Sequence, residues 1–400
     1  MRRYEETHRH LSFTADLSHA SPRLWIALGE CQSKCEHIAR VPLRPDTAER
    51  LNLRYIAKGA LATTAIEGNT LSEEEVLQHL EGRLSLPPSR QYLSREIDNI
   101  VSACNAILAD LAKGSRAPLT VGLVKALNSQ VLRGLQLGSD VEPGAIGQHA
   151  VLVGRDRGAP AQDCEYLLDR LCTWLSGDEF LPPSPDPAIV YALVKAVIAH
   201  LYIAWIHPFA DGNGRTARLL EFAILVGAGV PAASTHLLSN HYNLTRTAYY
   251  RELDRAGRAD GGVLPFLEYA VEGFRDGLRE QLETVWQQQH DVIWRNYVHE
   301  YFRDREHTAA GVRRRRLVLD LSRCAGPVPP FKLRELSPRL AEAYVNRGER
   351  TMARDISFLL ASNLIVRAKG GYLANRDLIR AFMTPRAPHP GDELAAGSST

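Results

Sequence analysis

A long and almost wholly apolar run constrains the fold of this chain more than any other feature of its sequence. The run, PAIVYALVKAVIAHLYIAWI, occupies Pro187 to Ile206 and is about as long as a helix that crosses a bilayer. Lys195 and His200 interrupt it, and no positively charged flank precedes it. A helix that is apolar on every side is also typical of the centre of a soluble bundle. We therefore predict a buried central helix and no membrane partner.

The composition of the 400-residue chain is that of a soluble globular protein of two or three domains. A formal net charge of +2 does not by itself favour nucleic acid or an anionic membrane as a partner. Six cysteines lie scattered without the spacing of metal ligands. The N-terminal MRRYEETHRHLSF lacks the apolar core of a secretory signal. These features predict a reduced, cytoplasmic protein.

Helix signals in the N-terminal part place two helices around a hinge. Leu53 to Ile66 is rich in helix-forming residues and leads into Glu67-Gly68-Asn69, whose glycine favours a helix end. Thr70 or Ser72, followed by three glutamates, has the pattern of an N-cap with a capping box. We therefore predict a hinge at Glu67 to Asn69.

Turn residues and helix breakers divide the middle of the chain. From Val141 to Gly158 they surround a short β-branched run, which is typical of a small hairpin. In FLPPSPDP, Asp186 is the predicted N-cap of the apolar helix and Pro187 its first residue. Further helices are predicted at Ala217–Val226, Leu244–Arg255 and Leu264–His290.

The segment directly after the apolar helix, HPFADGNGRTAR at His207 to Arg218, has the residues of a phosphate-binding loop. Gly212, Asn213 and Gly214 allow a tight turn whose amide groups stay exposed. The helix predicted next presents the positive end of its dipole to the same loop. Such an arrangement binds phosphates.

Four ionisable side chains of the loop add the other parts of a transfer site. Arg215 and Arg218 stand three positions apart, so both can reach one anion. Asp211 offers an oxygen ligand, and a lone carboxylate with phosphate oxygens and waters is a usual way to hold Mg²⁺. His207 titrates near neutrality and can take a proton from an attacking hydroxyl. Together they favour phosphoryl or nucleotidyl transfer.

Two residues near the loop are assigned to the core rather than to chemistry. Phe209, an aromatic residue between polar ones, is predicted to anchor the loop. His200, on the apolar helix, is predicted to be a buried histidine whose hydrogen bonds are satisfied.

HPFADGNGRTAR resembles the Fic family motif, His-x-Phe-x-Asp/Glu-Gly-Asn-Gly-Arg-x-x-Arg, at every defined position. The resemblance implies a mainly α-helical core and transfer of AMP from ATP to Ser, Thr or Tyr hydroxyls of a target protein and of the protein itself. It implies His207 as the base and Asp211 as the Mg²⁺ ligand. It also implies Asn213 and Arg215 as phosphate contacts and Arg218 as the partner of the γ-phosphate.

Two other segments resemble parts of the same family. Val141 to Gly158 resembles the flap that holds a target segment by main-chain pairing, although Gly147 and Gln148 stand where family flaps often have an arginine. The stretch TRTAYYREL resembles the region near the adenine and nominates Tyr249 and Tyr250 as nucleotide-binding residues. An aromatic pair at this spacing is equally typical of a helix core.

A motif upstream resembles the inhibitory signature of Fic proteins, Ser/Thr-x-x-x-Glu-Gly/Asn. It lies at Thr63 to Gly68 and implies that Glu67 inhibits the enzyme from the N-terminal side. A glutamate that pairs with Arg218 would remove the cation that the γ-phosphate needs. In some family members this glutamate positions a water that removes AMP from the modified target, so a deAMPylase is an alternative function.

The C-terminal part differs in composition, with a basic run at Arg313 to Arg316 and a proline-rich bend. Thr351 to Leu360 and the following ASNLIVRAKGGYLAN resemble the recognition helix and wing of a winged helix domain, with Gly370-Gly371 as the wing turn. Such domains bind DNA or proteins, so DNA remains an open partner. The rival to an enzyme is therefore a DNA-binding transcription regulator with a nucleotide-sensing Fic domain.

These patterns predict an N-terminal helical region with an inhibitory helix at residues 1–115, a Fic core with a small β-hairpin flap at 116–300, a winged helix domain at 305–380 and a disordered tail at 384–400. The expected partners are ATP and a protein with an accessible hydroxyl, and a homodimer is left open. The sequence does not name the target or exclude another nucleotide as donor.

Overall fold

The structure is a computed structural model, and it describes residues 2–148, 152–153, 156–258, 262–305, 307–345 and 347–380. Those residues are mainly helical and include two small antiparallel sheets, which confirms the predicted mainly α fold class. The predicted tail at 384–400 lies outside the described residues. The chain divides into two compact units, Met1–Val285 and Trp286–Thr400. This division comes earlier than the predicted start of the C-terminal domain at residue 305.

The first unit contains most of the helices and one short hairpin. The helices are α1 (Tyr4–Thr7), α2 (Pro22–Arg40), α3 (Pro45–Ala65), α4 (Glu73–Leu80), α5 (Gln91–Ala112), α6 (Val121–Val131), α7 (Ala161–Leu175), α8 (Ala188–Ile206), α9 (Asn213–Gly227), α10 (Ala232–Thr235), α11 (Leu237–Leu244), α12 (Arg246–Ala256) and the first part of α13 (Leu264–Tyr301). The strands are β1 (Leu152–Val153) and β2 (Asp156–Arg157), with Leu152 opposite Arg157.

Helix α8 is the apolar run, and it forms the centre of the first unit as predicted. By length and composition it is one candidate membrane span, but 78% of its apolar window is buried against other helices, chiefly α9, α7 and α2. The predicted cap at Asp186 is wrong, because Asp186 and Pro187 form a turn and the helix begins at Ala188. Gln32 of α2 caps it instead, since its Oε1 accepts hydrogen bonds from the first backbone N–H groups of the helix.

The predicted hinge lies between α3 and α4. Helix α3 ends at Ala65, and Gly68 has a left-handed φ of 106° that a glycine adopts without strain. Ser72, not Thr70, caps α4 in a capping box, with Ser72 N–H 2.8 Å from the Glu75 carboxylate and Glu75 N–H 3.2 Å from Ser72 Oγ.

Three other predicted helices have different bounds. Helix α9 begins at Asn213 rather than Ala217, and α13 continues past His290 to Tyr301. The helix predicted over Leu244–Arg255 is wrong in its first residues, because α11 ends at Leu244 and α12 starts at Arg246. Thr245 breaks the pattern: its hydroxyl bonds to the His241 carbonyl at 2.7 Å and its ψ of 38° is not helical.

The second unit has its own core, centred on Trp294, Phe302 and Leu359. Besides the end of α13 it contains α14 (Ala309–Leu321), α15 (Pro338–Tyr344), α16 (Glu349–Ala361), β3 (Ile365–Ala368) and β4 (Gly371–Ala374). The two strands pair with Ala368 opposite Gly371. A helix followed by a hairpin is the order predicted for a recognition helix and wing, and the winged helix itself stays a prediction.

Part of the basic run at Arg313 to Arg316 makes contacts inside the second unit. Arg313 and Arg314 each donate a 2.6 Å hydrogen bond from Nε to Asp355, which is 1% exposed and also accepts one from Tyr344. These two arginines are therefore held by a buried carboxylate and are not free to meet phosphates. Arg350 and Arg354 on α16 are exposed.

Candidate active site

Two residues in left-handed backbone conformation delimit the loop between α8 and α9. His207 ends α8 with φ 49° and ψ 58°, and Gly212 precedes α9 with φ 78°. A Cβ atom at Gly212 would lie 3.0 Å from the Asn128 amide nitrogen, so a side chain there would be strained and crowded. The loop is thus tightly folded, as its glycines predict.

Asn213 holds the loop closed from inside. Its Oδ1 accepts a 2.9 Å hydrogen bond from the Phe209 N–H, and its Nδ2 donates a 2.7 Å bond to the Phe209 carbonyl. Phe209 is 1% exposed, which agrees with its predicted role as an anchor. Because both ends of the Asn213 amide are used, the phosphate contact predicted for this residue would have to come from its backbone N–H.

Asn128, a residue that sequence reasoning missed, ties the loop to two other segments. It is fully buried on α6, and its Nδ2 lies 2.9 Å from the Asp211 carbonyl and 3.2 Å from the Thr216 hydroxyl. Its Oδ1 accepts a 2.9 Å bond from the Gly144 N–H, at the start of the predicted flap. The sequence did contain a signal for this role, because Asn128 is a polar residue among the apolar positions of α6.

Arg215 is held between two carboxylates. Its Nη1 lies 2.8 Å from Glu96 Oε1 on α5 and its Nη2 lies 3.0 Å from Asp211 Oδ1. Glu96 also accepts a 2.8 Å bond from Asn69. Burial raises the pKa of Glu96 despite these donors. Sequence reasoning missed Glu96 because nothing near it in the chain marks it as a partner of the loop.

The structure brings Glu67 and Arg218 together. Arg218 Nη2 donates a 2.5 Å hydrogen bond to Glu67 Oε1 and a 2.8 Å bond to the Thr63 carbonyl. The Arg218 side chain is 1% exposed, whereas that of Glu67 is 34% exposed. Burial is the largest single effect and acts to raise the pKa of Glu67, but the charge and hydrogen bond of Arg218 together with the charges of Arg215 and His207 outweigh it, and the pKa is lowered. Glu67 is therefore a carboxylate at neutral pH.

Gly214 gives Glu67 the space for this contact. A Cβ atom at Gly214 would come within 2.2 Å of Glu67 Oε1 and 3.0 Å of Arg218 Nη1. The carboxylate of Glu67 thus rests against the first turn of α9, where the sequence predicts the phosphate nest. A negative charge in that place opposes the binding of phosphates there.

His207 is suited to act as a base. Burial lowers the pKa of His207 below its ordinary value of 6.5, and the Ala204 carbonyl and the carboxylates of Glu67 and Asp211 only partly oppose this effect. The ring is therefore neutral at neutral pH and can accept a proton.

The two nominated tyrosines lie in different surroundings. Tyr249 is 3% exposed, its hydroxyl lies 2.9 Å from His200 Nε2, and its ring stacks on Tyr242 at 4.9 Å. It belongs to the core, which was the alternative interpretation. Tyr250 is 47% exposed and remains able to meet a ligand. His200 is fully buried, as predicted, and its Nε2 is bonded to Tyr249, but its Nδ1 has no hydrogen-bond partner within the described residues.

The flap region contacts the loop at its base. The Gly147 N–H donates a 2.9 Å hydrogen bond to the Pro208 carbonyl, and the Ala159 N–H donates a 3.0 Å bond to the Ile206 carbonyl. The hairpin of β1 and β2 lies between these two anchors, where the sequence predicts it. Its residues 149–151 and 154–155 lie outside the described part of the chain.

The chain is also similar in sequence to known proteins. Residues 118–225 match the Fic/DOC family model. A protein adenylyltransferase Fic from Nematostella vectensis is 29% identical over 210 residues, which cover 52% of this chain and 44% of the relative. Protein adenylyltransferase fic-1 from Caenorhabditis elegans is 30% identical over 212 residues, which cover 52% and 38%. The chain thus spans less than half the length of these curated relatives.

Two solved structures are similar to the chain in fold. A Fic family protein from Desulfovibrio desulfuricans G20 superposes with a TM-score of 0.54 at 22% identity, over 94% of this chain and 96% of that chain. Fic-1 from C. elegans superposes with a TM-score of 0.52 at 23% identity, over 66% and 73%. At these identities the likeness concerns the fold alone.

Proposed function

The chain carries a Fic domain at residues 118–225, and on that premise we propose that it is a protein adenylyltransferase that Glu67 inhibits. It transfers AMP from ATP to a Ser, Thr or Tyr hydroxyl of a target protein and of itself. The observation that carries the proposal is the loop from His207 to Arg218, where a neutral histidine lies beside two arginines at a helix N-terminus. The names of the curated relatives support the same reaction.

The residues of the loop have different roles in the transfer of AMP. The hydroxyl oxygen of the target attacks the α-phosphorus, the bond to the bridging oxygen of the β-phosphate breaks, and pyrophosphate leaves. His207 takes the proton of the hydroxyl, for which its lowered pKa keeps it in the accepting form. The N–H groups at the start of α9 and the side chain of Arg215 face the phosphate charge.

Asp211 fits the role of Mg²⁺ ligand. Its side chain is 46% exposed, and its Oδ1 accepts bonds from Gly212 N–H at 2.5 Å and Arg215 at 3.0 Å. Within the described residues Oδ2 has no hydrogen bond, so it is available to a cation that the nucleotide also holds. A bound Mg²⁺ would neutralise charge on the phosphates.

Inhibition follows from the position of Glu67. With Arg218 bonded to Glu67 and to the Thr63 carbonyl, the γ-phosphate of ATP lacks its cation and meets a carboxylate instead. ATP then binds weakly or in a pose that does not react. We propose that this is the resting state and that displacement of Glu67 activates transfer.

The test is incorporation of label from α-labelled ATP, set beside γ-labelled ATP, with Mg²⁺ present. Wild type, Glu67→Gly and His207→Ala are compared, with His37→Ala, an exposed histidine on α2, as the matched control. Label from the α-phosphate that rises in Glu67→Gly and disappears in His207→Ala supports the proposal. Label from the γ-phosphate would mean phosphotransfer, and full activity in His207→Ala would overturn the mechanism.

Removal of AMP is a second candidate, because Glu67 is partly exposed and close to the loop that would hold the modified side chain. A carboxylate there can orient a water for attack. The discriminating assay feeds an AMPylated target to wild type and to Glu67→Gly. Release of AMP by wild type alone would favour this reaction.

The alternative to an enzyme is a DNA-binding regulator. The excess of positive charge in the second unit favours this function. Residues 286–380 contain 18 Lys and Arg against 10 Asp and Glu. Arg347, Arg350 and Arg354 are exposed at and before α16. DNA binding that weakens steeply with salt, without transfer of label, would support it. From the sequence we also propose that the protein is cytoplasmic. Whether it forms a homodimer is left open, as in the sequence analysis.

A further inference from the structure

Glu96 on α5 connects the loop from His207 to Arg218 with the inhibitory turn, which we define as Thr63 to Asn69. Its Oε1 accepts a 2.8 Å hydrogen bond from Arg215 Nη1, and its Oε2 accepts a 2.8 Å bond from Asn69 Nδ2. Its side chain is only 14% exposed. A carboxylate held so far from water needs strong partners, and both of its oxygens have them. The proposed reaction gives this residue no role.

Arg215 is the cation that Glu96 holds. Its side chain is 6% exposed, and its second terminal nitrogen, Nη2, lies 3.0 Å from Asp211 Oδ1. Because a guanidinium is a rigid plane, fixing both terminal nitrogens also fixes the direction of the Nε–H group. That Nε is buried and has no hydrogen-bond partner within the described residues. An anion bound beside it would satisfy this donor.

The two carboxylates that hold Arg215 differ in what else they do. Asp211 belongs to the loop itself, is 46% exposed and is the proposed Mg²⁺ ligand. A metal ion on Asp211 neutralises part of the charge that attracts Arg215, so this bond weakens when Mg²⁺ binds. Glu96 comes from a different helix and is more buried. It therefore keeps its hold on the guanidinium when the metal is present.

Asn69 fixes Glu96 from the inhibitory turn. It is 6% exposed, and its Nδ2 also donates a 2.9 Å hydrogen bond to the Leu93 carbonyl on α5. Its Oδ1 accepts a 3.1 Å bond from the Leu71 N–H. Both polar atoms of the Asn69 side chain are thus used, two positions after Glu67. The turn that bears the inhibitory carboxylate also supports Glu96.

We propose that Glu96 is a positioning residue that holds Arg215 for the phosphates of ATP, and that Asn69 supports it from the inhibitory turn. The proposal rests on the proposed function, because it requires Arg215 to contact a phosphate. Glu96 itself touches no substrate. A displacement of such a group by about 1 Å costs up to about 10²-fold in rate. The turn must therefore stay in place in the active protein, although its Glu67 inhibits.

The test needs a substitution that leaves the charge of the site unchanged. A neutral residue at position 96 would also remove a negative charge near the phosphates, and this would favour ATP for a reason unrelated to position. Glu96→Asp keeps the carboxylate but withdraws it by one carbon–carbon bond, about 1.5 Å. It then cannot hold Arg215 where it lies now. All variants are made in the Glu67→Gly protein, so that inhibition by Glu67 does not vary.

The first experiment measures kcat/KM for transfer of label from α-labelled ATP with Mg²⁺. Four proteins are compared: Glu67→Gly alone, with Glu96→Asp, with Arg215→Ala and with both. We expect Glu96→Asp to lower kcat/KM about tenfold when Arg215 is present. In the Arg215→Ala background it should change kcat/KM by less than about twofold, because no guanidinium is left to position. An equal loss in both backgrounds, or no loss in either, would overturn the proposal.

The Kd of ATP with Mg²⁺, measured by calorimetry in the same four proteins, gives a readout that does not depend on transfer. We expect the same pattern, with weaker binding in Glu96→Asp only when Arg215 is present. This pattern without any transfer of label would refute the proposed transfer alone. Transfer of label with additive effects of the two substitutions would refute the role of Glu96 alone.

Asn69→Ala tests the support from the turn and does not depend on whether Arg215→Ala folds. In the Glu67→Gly protein we expect it to lower kcat/KM about threefold, since one oxygen of Glu96 loses its donor. A turn that served only inhibition would give no change once Glu67 is absent, and an unchanged or higher rate would contradict the support by Asn69. Thr70→Ala, the exposed neighbour, is the control on the same turn.

Glu30→Asp is the matched control for Glu96→Asp. Glu30 on α2 also holds an arginine of a distant helix, because its carboxylate accepts bonds of 2.6 Å and 2.8 Å from Arg279 on α13. The chemical change is the same, but the contact lies outside the loop and the inhibitory turn. We expect Glu30→Asp to leave kcat/KM and the Kd of ATP unchanged. A loss equal to that of Glu96→Asp would refute a specific role of Glu96.

Discussion

Two segments meet at the first turn of α9 and are held in opposite ways. The loop from His207 to Arg218 is fixed by buried bonds, within itself through Asn213 and from α6 through Asn128. The inhibitory turn from Thr63 to Asn69 reaches Arg218 with the Thr63 carbonyl and one oxygen of a partly exposed carboxylate. The loop is therefore a permanent structure, and the contact that inhibits it can be broken without dismantling it.

The body of α3 is not the movable part of this contact. Gly59 lies so close to the His236 ring that a Cβ atom would come within 2.1 Å of it. Thr63 and Thr64 are buried, whereas Glu67 and Gly68 are exposed. Ile66 and Asn69 of the same turn are also buried, and Asn69 bonds to the Leu93 carbonyl and to Glu96. Release thus requires only that the Glu67 side chain rotates away while α3 and the turn stay docked.

The strongest test of the loop is His207→Ala. We expect transfer to fall by a factor of about 10² to 10⁴, since the variant has no group to take the hydroxyl proton. In the active Glu67→Gly protein, kcat/KM should fall as pH drops through a midpoint below 6.5, because His207 must be neutral and burial lowers its pKa in the free enzyme. The measurement is label transfer against pH. A midpoint above 6.5 would contradict the assignment of His207 as base.

Asn128→Ala tests whether the loop is a permanent structure. The substitution removes the partner of the Asp211 carbonyl and of the Gly144 N–H, whereas Thr216 keeps its bond to the Gly212 carbonyl, so we expect a loss of about 2–3 kcal/mol in the free energy of unfolding. Transfer should fall in the Glu67→Gly background as well. A stable protein with full activity would mean that the loop does not depend on α6.

Glu67→Gly tests whether the inhibitory contact is separable. We expect transfer to rise about tenfold, because Arg218 becomes free for the γ-phosphate. Glu81→Gly, an exposed residue at the end of α4, is the matched control and should leave the rate unchanged. A rate for Glu67→Gly no higher than that of wild type would remove Glu67 from regulation.

The sequence predicts the loop well because its parts are consecutive. Glycine positions, the anchor Phe209 and the charged residues follow from local chemistry, and α8 follows from its apolar run. Glu67 and Arg218 are 151 positions apart, and only the resemblance to a family predicted their pairing. The residues around Glu67 and Arg218 in the chain do not by themselves indicate that the two side chains pair.

The parts that the sequence did not predict come from distant helices. Glu96 and Asn128 lie on amphipathic helices where a polar residue ordinarily faces solvent. Asp186 was predicted to cap α8 from its position in the chain, but Gln32 of α2 satisfies the same N–H groups through tertiary contact. Each of these three misses is a long-range contact, and only Asn128 had a signal in the local sequence.

Ser72→Ala has the smallest expected effect. It tests whether the N-cap of α4 helps to hold the inhibitory turn in place. Loss of the N-cap of α4 should lower the free energy of unfolding by about 1 kcal/mol. Because α4 follows the inhibitory turn directly, a frayed cap also lets Glu67 leave Arg218 more often, so transfer should rise, though less than in Glu67→Gly. Ser72→Asp retains a capping oxygen and should behave like wild type. If Ser72→Ala loses stability without any rise in transfer, the bonds of Arg218, Asn69 and Ile66 hold the turn without the cap, and the capping box serves only α4.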